Sequence, residues 1–158
     1  MMLSTGAEPL PRVVAWLGYG GLLPFIALAL AIVRANFLGE DSAVWLAALV
    51  AYAAAILSFV GALHWGFAMT LRAFSEHQRV AAFVWSVVPA LVAWLALLAA
   101  PRVAIVLLVL GFAIHYWRDA RLVASADLPA WYLPMRLRLT CVACVCLVVP
   151  AALKALLR

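Results

Sequence analysis

His64 stands in a long apolar run, eight residues short of the nearest charge, Arg72. An imidazole is the cheapest ionisable group to bury, because it can be held neutral. At about 1.5 Å of helix rise per residue, His64 lies roughly 12 Å inside the boundary that Arg72 marks. Counting inward from Arg79 brings Trp85 and Ser86 to nearly the same depth, and counting from Arg12 brings Gly20 there. Three helices therefore present Gly18-Tyr19-Gly20-Gly21, His64-Trp65 and Trp85-Ser86 at one level. Pro24 has no N–H for the carbonyl of Gly20, and Pro89 has none for that of Trp85. Hydrocarbon offers no water to those two carbonyls. The donors at that level are the His64 imidazole, the Tyr19 and Ser86 hydroxyls and the indoles of Trp65 and Trp85. Gly61 and Ala68 flank His64 on its own face, while Ala82, Ala90 and Ala93 share the face of Ser86, so these helices can approach closely.

The candidate pocket consists of Gly18, Tyr19, Gly20, Pro24, Ser58, Gly61, His64, Trp65, Trp85, Ser86 and Pro89. Its depth and polarity suit a quinone headgroup, a lipid headgroup or a proton relay. The plainer alternative is that His64 ties kinked helices together by hydrogen bonds.

Other polar residues carry weaker signals. His115 precedes Arg118 by three residues and so counts as shallower than His64 by about 7 Å, which weighs against a haem held by both. His77, next to Glu76, reads as a solvated turn residue. Asp119, between Arg118 and Arg121, reads as half of a surface ion pair or as a partner for His115. On that count no acid lies within a span, which argues against a proton-coupled pump. Cys141, Cys144 and Cys146 lack flanking His or acidic ligands and read as small apolar residues. No phosphate loop, dinucleotide motif, zinc motif or nucleophile triad is present. No catalytic residue, metal ligand or resident cofactor is expected, although a bound quinone or lipid is compatible with the pocket.

The elements that position these residues follow from composition. The 158 residues are 70% hydrophobic, with mean hydropathy +1.18, more than a soluble core of this size can absorb. A helix needs about 20 apolar residues to cross a bilayer. Spans are expected at about 13–33, 43–71, 80–100, 101–117 and 137–157, the fourth being short unless Arg102 snorkels. Period-two alternation is absent, which argues against a β-barrel. The expected fold is all-α: one polytopic domain, a bundle of five transmembrane helices kinked near Pro24 and Pro89. The first apolar stretch is too long for an ordinary cleaved signal.

Five spans put Arg12, Arg72, Arg79, Arg118, Arg121, Arg136 and Arg138 on one side, against Arg34, Arg102, Lys154 and Arg158. Seven against four favours a cytoplasmic N-terminus and a periplasmic C-terminus. The Arg118–Arg138 loop, with Pro129, Pro134 and the Trp131-Tyr132 pair, is expected to lie along the membrane surface as a connector or docking surface. The basic balance reflects topology and anionic lipid, with no pattern for nucleic acid.

Leu17-Gly18 through Leu23-Pro24-Phe25, the string from Ile56 to Gly66 (ILSFVGALHWG), Trp85-Ser86-Val87-Val88-Pro89 and the Trp131-Tyr132…Leu137-Arg138 segment resemble the domain-of-unknown-function family 3429. The resemblance covers most of the chain and departs at Ala62, where glycine is common. It implies a small polytopic protein of energy-converting inner membranes, here without a long targeting extension and hence of bacterial type, and brings no activity. The expected role is an accessory or assembly subunit of a larger, respiratory membrane complex. The alternative is a binding or transport protein for a small amphiphile, with its pocket around His64. An enzyme is the weakest option, since the sequence gives His64 no second catalytic group.

Overall fold

The computed structural model describes residues 9–156, apart from 125 and 127. Leu157, the end of the expected fifth span, lies outside the described residues. Helix makes up 86% of the described chain, and they contain no strand. The order is α1 (Arg12–Gly20), α2 (Leu22–Leu38), α3 (Ala43–Thr70), α4 (Glu76–Leu98), α5 (Pro101–Val123) and α6 (Tyr132–Leu156). α1 and α2 together make one span, Arg12–Leu38, and each of the other four is also long and apolar enough to cross a membrane.

The breaks follow from local chemistry. The first span pauses at Gly21, three residues before Pro24, where the ladder loses a donor. The Tyr52 hydroxyl on α3 donates to the Gly21 carbonyl at 2.8 Å, tying the pause to its neighbour. α2 stops at Gly39, whose φ of 69° is the left-handed conformation that glycine adopts without strain. Ser75 and Gln78 close α4 with reciprocal side-chain-to-backbone bonds. Pro101 opens α5 at a position needing no N–H. The other expected kink does not interrupt its helix: α4 continues through Pro89, against which α3 fits closely because residue 61 is glycine. A Cβ there would come within 2.7 Å of the Pro89 side chain.

Neighbours form a ring, α2–α3–α4–α5–α6 and back to α2, with α3 and α5 also meeting across it. Phe25, Ile32, Leu49, Leu57, Leu108 and Leu147 fill the middle. Phe25 meets Tyr52 edge to face at 5.1 Å. Large apolar side chains such as Trp16, Phe59, Trp65 and Trp94 point outward, as a lipid solvent requires.

Two span boundaries need correction. The fourth helix does not end near residue 117 but runs to Val123, and the fifth starts at Tyr132, five residues before 137. Both ends were placed at charges taken to lie in water. Next to those charges, Asp119 and Arg136 lie inside the bundle, where they neutralise one another.

Candidate functional site

α5 and α6 carry the chemistry. His115 and Asp119 stand four residues apart, one helical turn, and both are fully buried. Arg136, one turn after Tyr132, points inward and is 7% exposed. Its Nε donates to Asp119 Oδ2 at 2.8 Å. α3 adds His64, 2% exposed, whose Nε2 lies 3.0 Å from Asp119 Oδ1. The carboxylate held by Arg136 only accepts, so His64 carries a proton on Nε2 and donates. α4 closes the cluster with Trp85, whose Nε1 donates to His115 Nδ1 at 3.1 Å. The two imidazoles meet edge to face, centroids 5.1 Å apart.

The His115 tautomer follows from this. With Nδ1 accepting from Trp85, a neutral ring bears its hydrogen on Nε2, 3.8 Å from Asp119 Oδ1 and without a hydrogen-bond partner. The ligand atoms of His64, His115 and Asp119 lie within 4.8 Å of one another, close enough to consider a metal ion. The donor set does not fit one. A ligating Nε2 needs a free lone pair and an Nδ1–H supported by an acceptor, whereas His115 Nδ1 faces a donor. His64 and Asp119 are bonded to each other, and the Arg136 cation adjoins the only carboxylate.

Beside the cluster, α1, α3 and α6 enclose an apolar pocket of about 480 Å³. Gly18, Leu17, Phe59 and Leu63 line its membrane side, and Tyr132, Arg136 and Thr140 its polar end. Arg136 Nη2 and the Tyr132 hydroxyl are buried without hydrogen-bond partners. Gly18 lets α1 pass close to α6, where a Cβ would displace the terminal methyl of Met135. A second cavity, about 320 Å³, reaches the cluster from the loop end of α4 and is lined by His64, His77, Gln78, Arg118 and Arg121.

The structure separates the residues expected to share one pocket. His64 is in the cluster, and Trp85 joins it through His115. Gly18 lines the membrane-side pocket. Ser86 is buried on the α4 face toward the bundle, but its hydroxyl donates to Phe83 of its own helix. Ser58 likewise bonds back to Ala54. Gly61 and Pro89 form the α3–α4 contact. Trp65 is half exposed and packs on Phe83 at the lipid face. Tyr19 accepts from Arg138 at an exposed edge. Gly20 has open space beside it. Pro24 acts on the α1–α2 break, where Tyr52 donates to the Gly21 carbonyl, the neighbour of the one that Pro24 leaves without its helical donor.

Arg136, Tyr132 and Thr140 escaped the sequence reading as site residues. Of the two readings of Asp119, the partner of His115 is the one found, at 3.8 Å, and not the surface pair, so an acid does lie within a span. His115 is not shallower than His64 by a helical turn: it stands eight residues before the end of α5, as His64 stands six before the end of α3. The depth count began at Arg118, which lies inside the helix. The available signal was the i, i+4 spacing of His115 and Asp119 in a largely apolar helix, with Arg136 downstream to balance the acid. His77 is exposed, and Cys141, Cys144 and Cys146 are free thiols.

This architecture defines a multi-pass α-helical membrane protein with an ionic cluster inside its bundle. The chain belongs to the family described as Protein of unknown function (DUF3429), whose model matches residues 10–152. It is 37% identical over 137 residues to Transmembrane protein 69 of Xenopus tropicalis, covering 84% of this chain and 51% of the relative. The chain thus spans about half the length of that relative. No solved structure matches it.

Proposed function

We propose that the chain binds a membrane-soluble amphiphile whose headgroup accepts hydrogen bonds, such as a quinone or a lipid. One observation carries this reading: an apolar pocket of about 480 Å³ is lined at one end by Tyr132 and Arg136, and Arg136 Nη2 is buried there without a hydrogen-bond partner. A buried donor without an acceptor is costly, and an acceptor-headed ligand entering from the bilayer supplies what is missing. The tail lies along Leu17, Phe59 and Leu63 while the head meets Arg136, Tyr132 and Thr140. The His64–Asp119 pair behind them can hold or pass a proton. Mild extraction followed by mass spectrometry tests this. An amphiphile is expected to co-purify with the native chain and to be lost in Gly18→Phe, which fills the pocket. Equal retention by both proteins would refute the reading.

A second reading, the accessory subunit of a larger respiratory complex, is favoured by a different surface. At the opposite end, Ala43, Ala47, Ala96, Ala100, Ala104 and Ala151 line a groove of about 670 Å³, and small residues let a foreign helix pack closely. Co-migration with other subunits on native gels supports it. In both readings the protein sits in a bacterial inner membrane with its N-terminus in the cytoplasm. Arg136, being buried, leaves the topology count, and six cations against four still favour that orientation.

A further inference from the structure

Two separate cavities reach the cluster. The membrane-side pocket ends on Arg136 and Tyr132. The vestibule at the loop end of α4 ends on His64 and has His77, Gln78, Arg118 and Arg121 in its wall. Between them run two bonds, His64 Nε2 to Asp119 Oδ1 and Asp119 Oδ2 to Arg136 Nε. The cluster thus links a surface that meets water to a pocket that meets lipid.

Charge decides what the pocket takes. Asp119 and Arg136 cancel, and with His64 bearing its one proton on Nε2 the empty cluster carries no net charge. A neutral headgroup would leave the balance unchanged. An anion against Arg136 would leave one uncompensated negative charge inside a bundle surrounded by hydrocarbon, unless a proton came with it. His64 is placed to receive that proton: it lines the vestibule, and its Nε2 is already on Asp119, so protonation at Nδ1 breaks no bond. His115 has no such route, since Trp85 occupies its Nδ1 and it is fully buried. Once His64 is a cation, Asp119 is shared between two positive groups, and the Arg136 guanidinium is left less compensated toward the pocket.

We infer that the pocket binds a single-chain amphiphile with a monoanionic oxygen head, and that each anion enters together with one proton taken up by His64 from the vestibule. This rests on the pocket assigned above. The groups facing His64 agree with it. α5 contributes His115, Asp119 and, at the vestibule, Arg118 and Arg121. α6 contributes Arg136 and, through Phe67, the Tyr132 ring. α4 contributes His77 and Arg79, the latter turned away onto the Ala68 and Leu71 carbonyls at the end of α3, and α2 has only Arg34, near its far end. Arg118 and Arg121 oppose the proton, but Arg118 lies over the Trp85 ring at 5.0 Å and Arg121 over Trp117 at 4.0 Å, and Arg121 is exposed to screening solvent.

The test uses the full chain in nanodiscs with two probes: hexadecanesulfonate, anionic at every pH examined, and the neutral hexadecan-2-one. By linkage, one proton taken up per anion means that sulfonate affinity is expected to rise about tenfold per pH unit lowered, with ketone binding flat. Calorimetry of the unaltered protein in buffers of different ionisation enthalpy is expected to show one proton taken up per sulfonate. His64→Gln, which keeps a donor to Asp119, is expected to flatten the pH profile. Sulfonate binding without proton uptake, an unaltered slope in His64→Gln, or tight ketone binding with none of sulfonate would overturn the inference. If Gly18→Phe displaces neither probe, the pocket itself is refuted, which separates the two failures.

Discussion

Two polar groups of residues tie helices together at opposite ends of this bundle, and they are built differently. Near the α2–α3 turn, Lys154 donates to Ser42 and Ser42 to Asn36, each at 3.0 Å. Asn36 in turn reaches the Pro150 carbonyl at 3.5 Å. These residues sit at or near helix ends, where water is close and backbone groups are already unpaired. The other group, His64, His115, Asp119 and Arg136, lies wholly inside, holds formal charges and leaves two polar atoms, His115 Nε2 and Arg136 Nη2, without partners. The first arrangement reads as a clasp. The second carries ionic strain that a clasp does not need, next to a pocket, which is the pattern of a functional site.

The largest expected effect comes from breaking the inner pair. Asp119→Ala leaves the Arg136 guanidinium uncompensated and should destabilise the fold by about 3–5 kcal/mol. Thermal unfolding in detergent measures it, and Asp119→Ala with Arg136→Met should recover most of the loss. A double variant as unstable as the single one would show that the two are not coupled. His64→Ala comes next, at about 1–3 kcal/mol for the exposed acceptor on Asp119, and should also impair amphiphile retention. A stability loss with retention unchanged would make His64 structural only. Trp85→Phe removes the donor to His115 and should have a stability effect of about 1 kcal/mol, detectable as a changed His115 tautomer in the nitrogen NMR spectrum. Smallest is Lys154→Met in the clasp, at about 0–1 kcal/mol because the head lies near water. If it matched Asp119→Ala, the contrast between the two ends would collapse.

The sequence determined the solvent, and with it the fold class. Five apolar stretches long enough to cross hydrocarbon leave a helical bundle as the consistent solution, since every backbone polar group must be bonded within its own segment. It also determined that His64 is buried: Gly61 and Ala68 mark its face as a close helix contact, and the residue string around it marked the family. Local punctuation was legible too, in Pro24 before the pause at Gly21. Tertiary structure alone decided what His64 meets. A charge in a sequence looks like a boundary because an isolated ion avoids lipid. Asp119 and Arg136 are seventeen positions apart and on different helices, and each is tolerable inside only because the other is there. Such compensation is a property of packing, invisible to any count along one helix, so the spans were drawn short, leaving out Asp119 and Arg136.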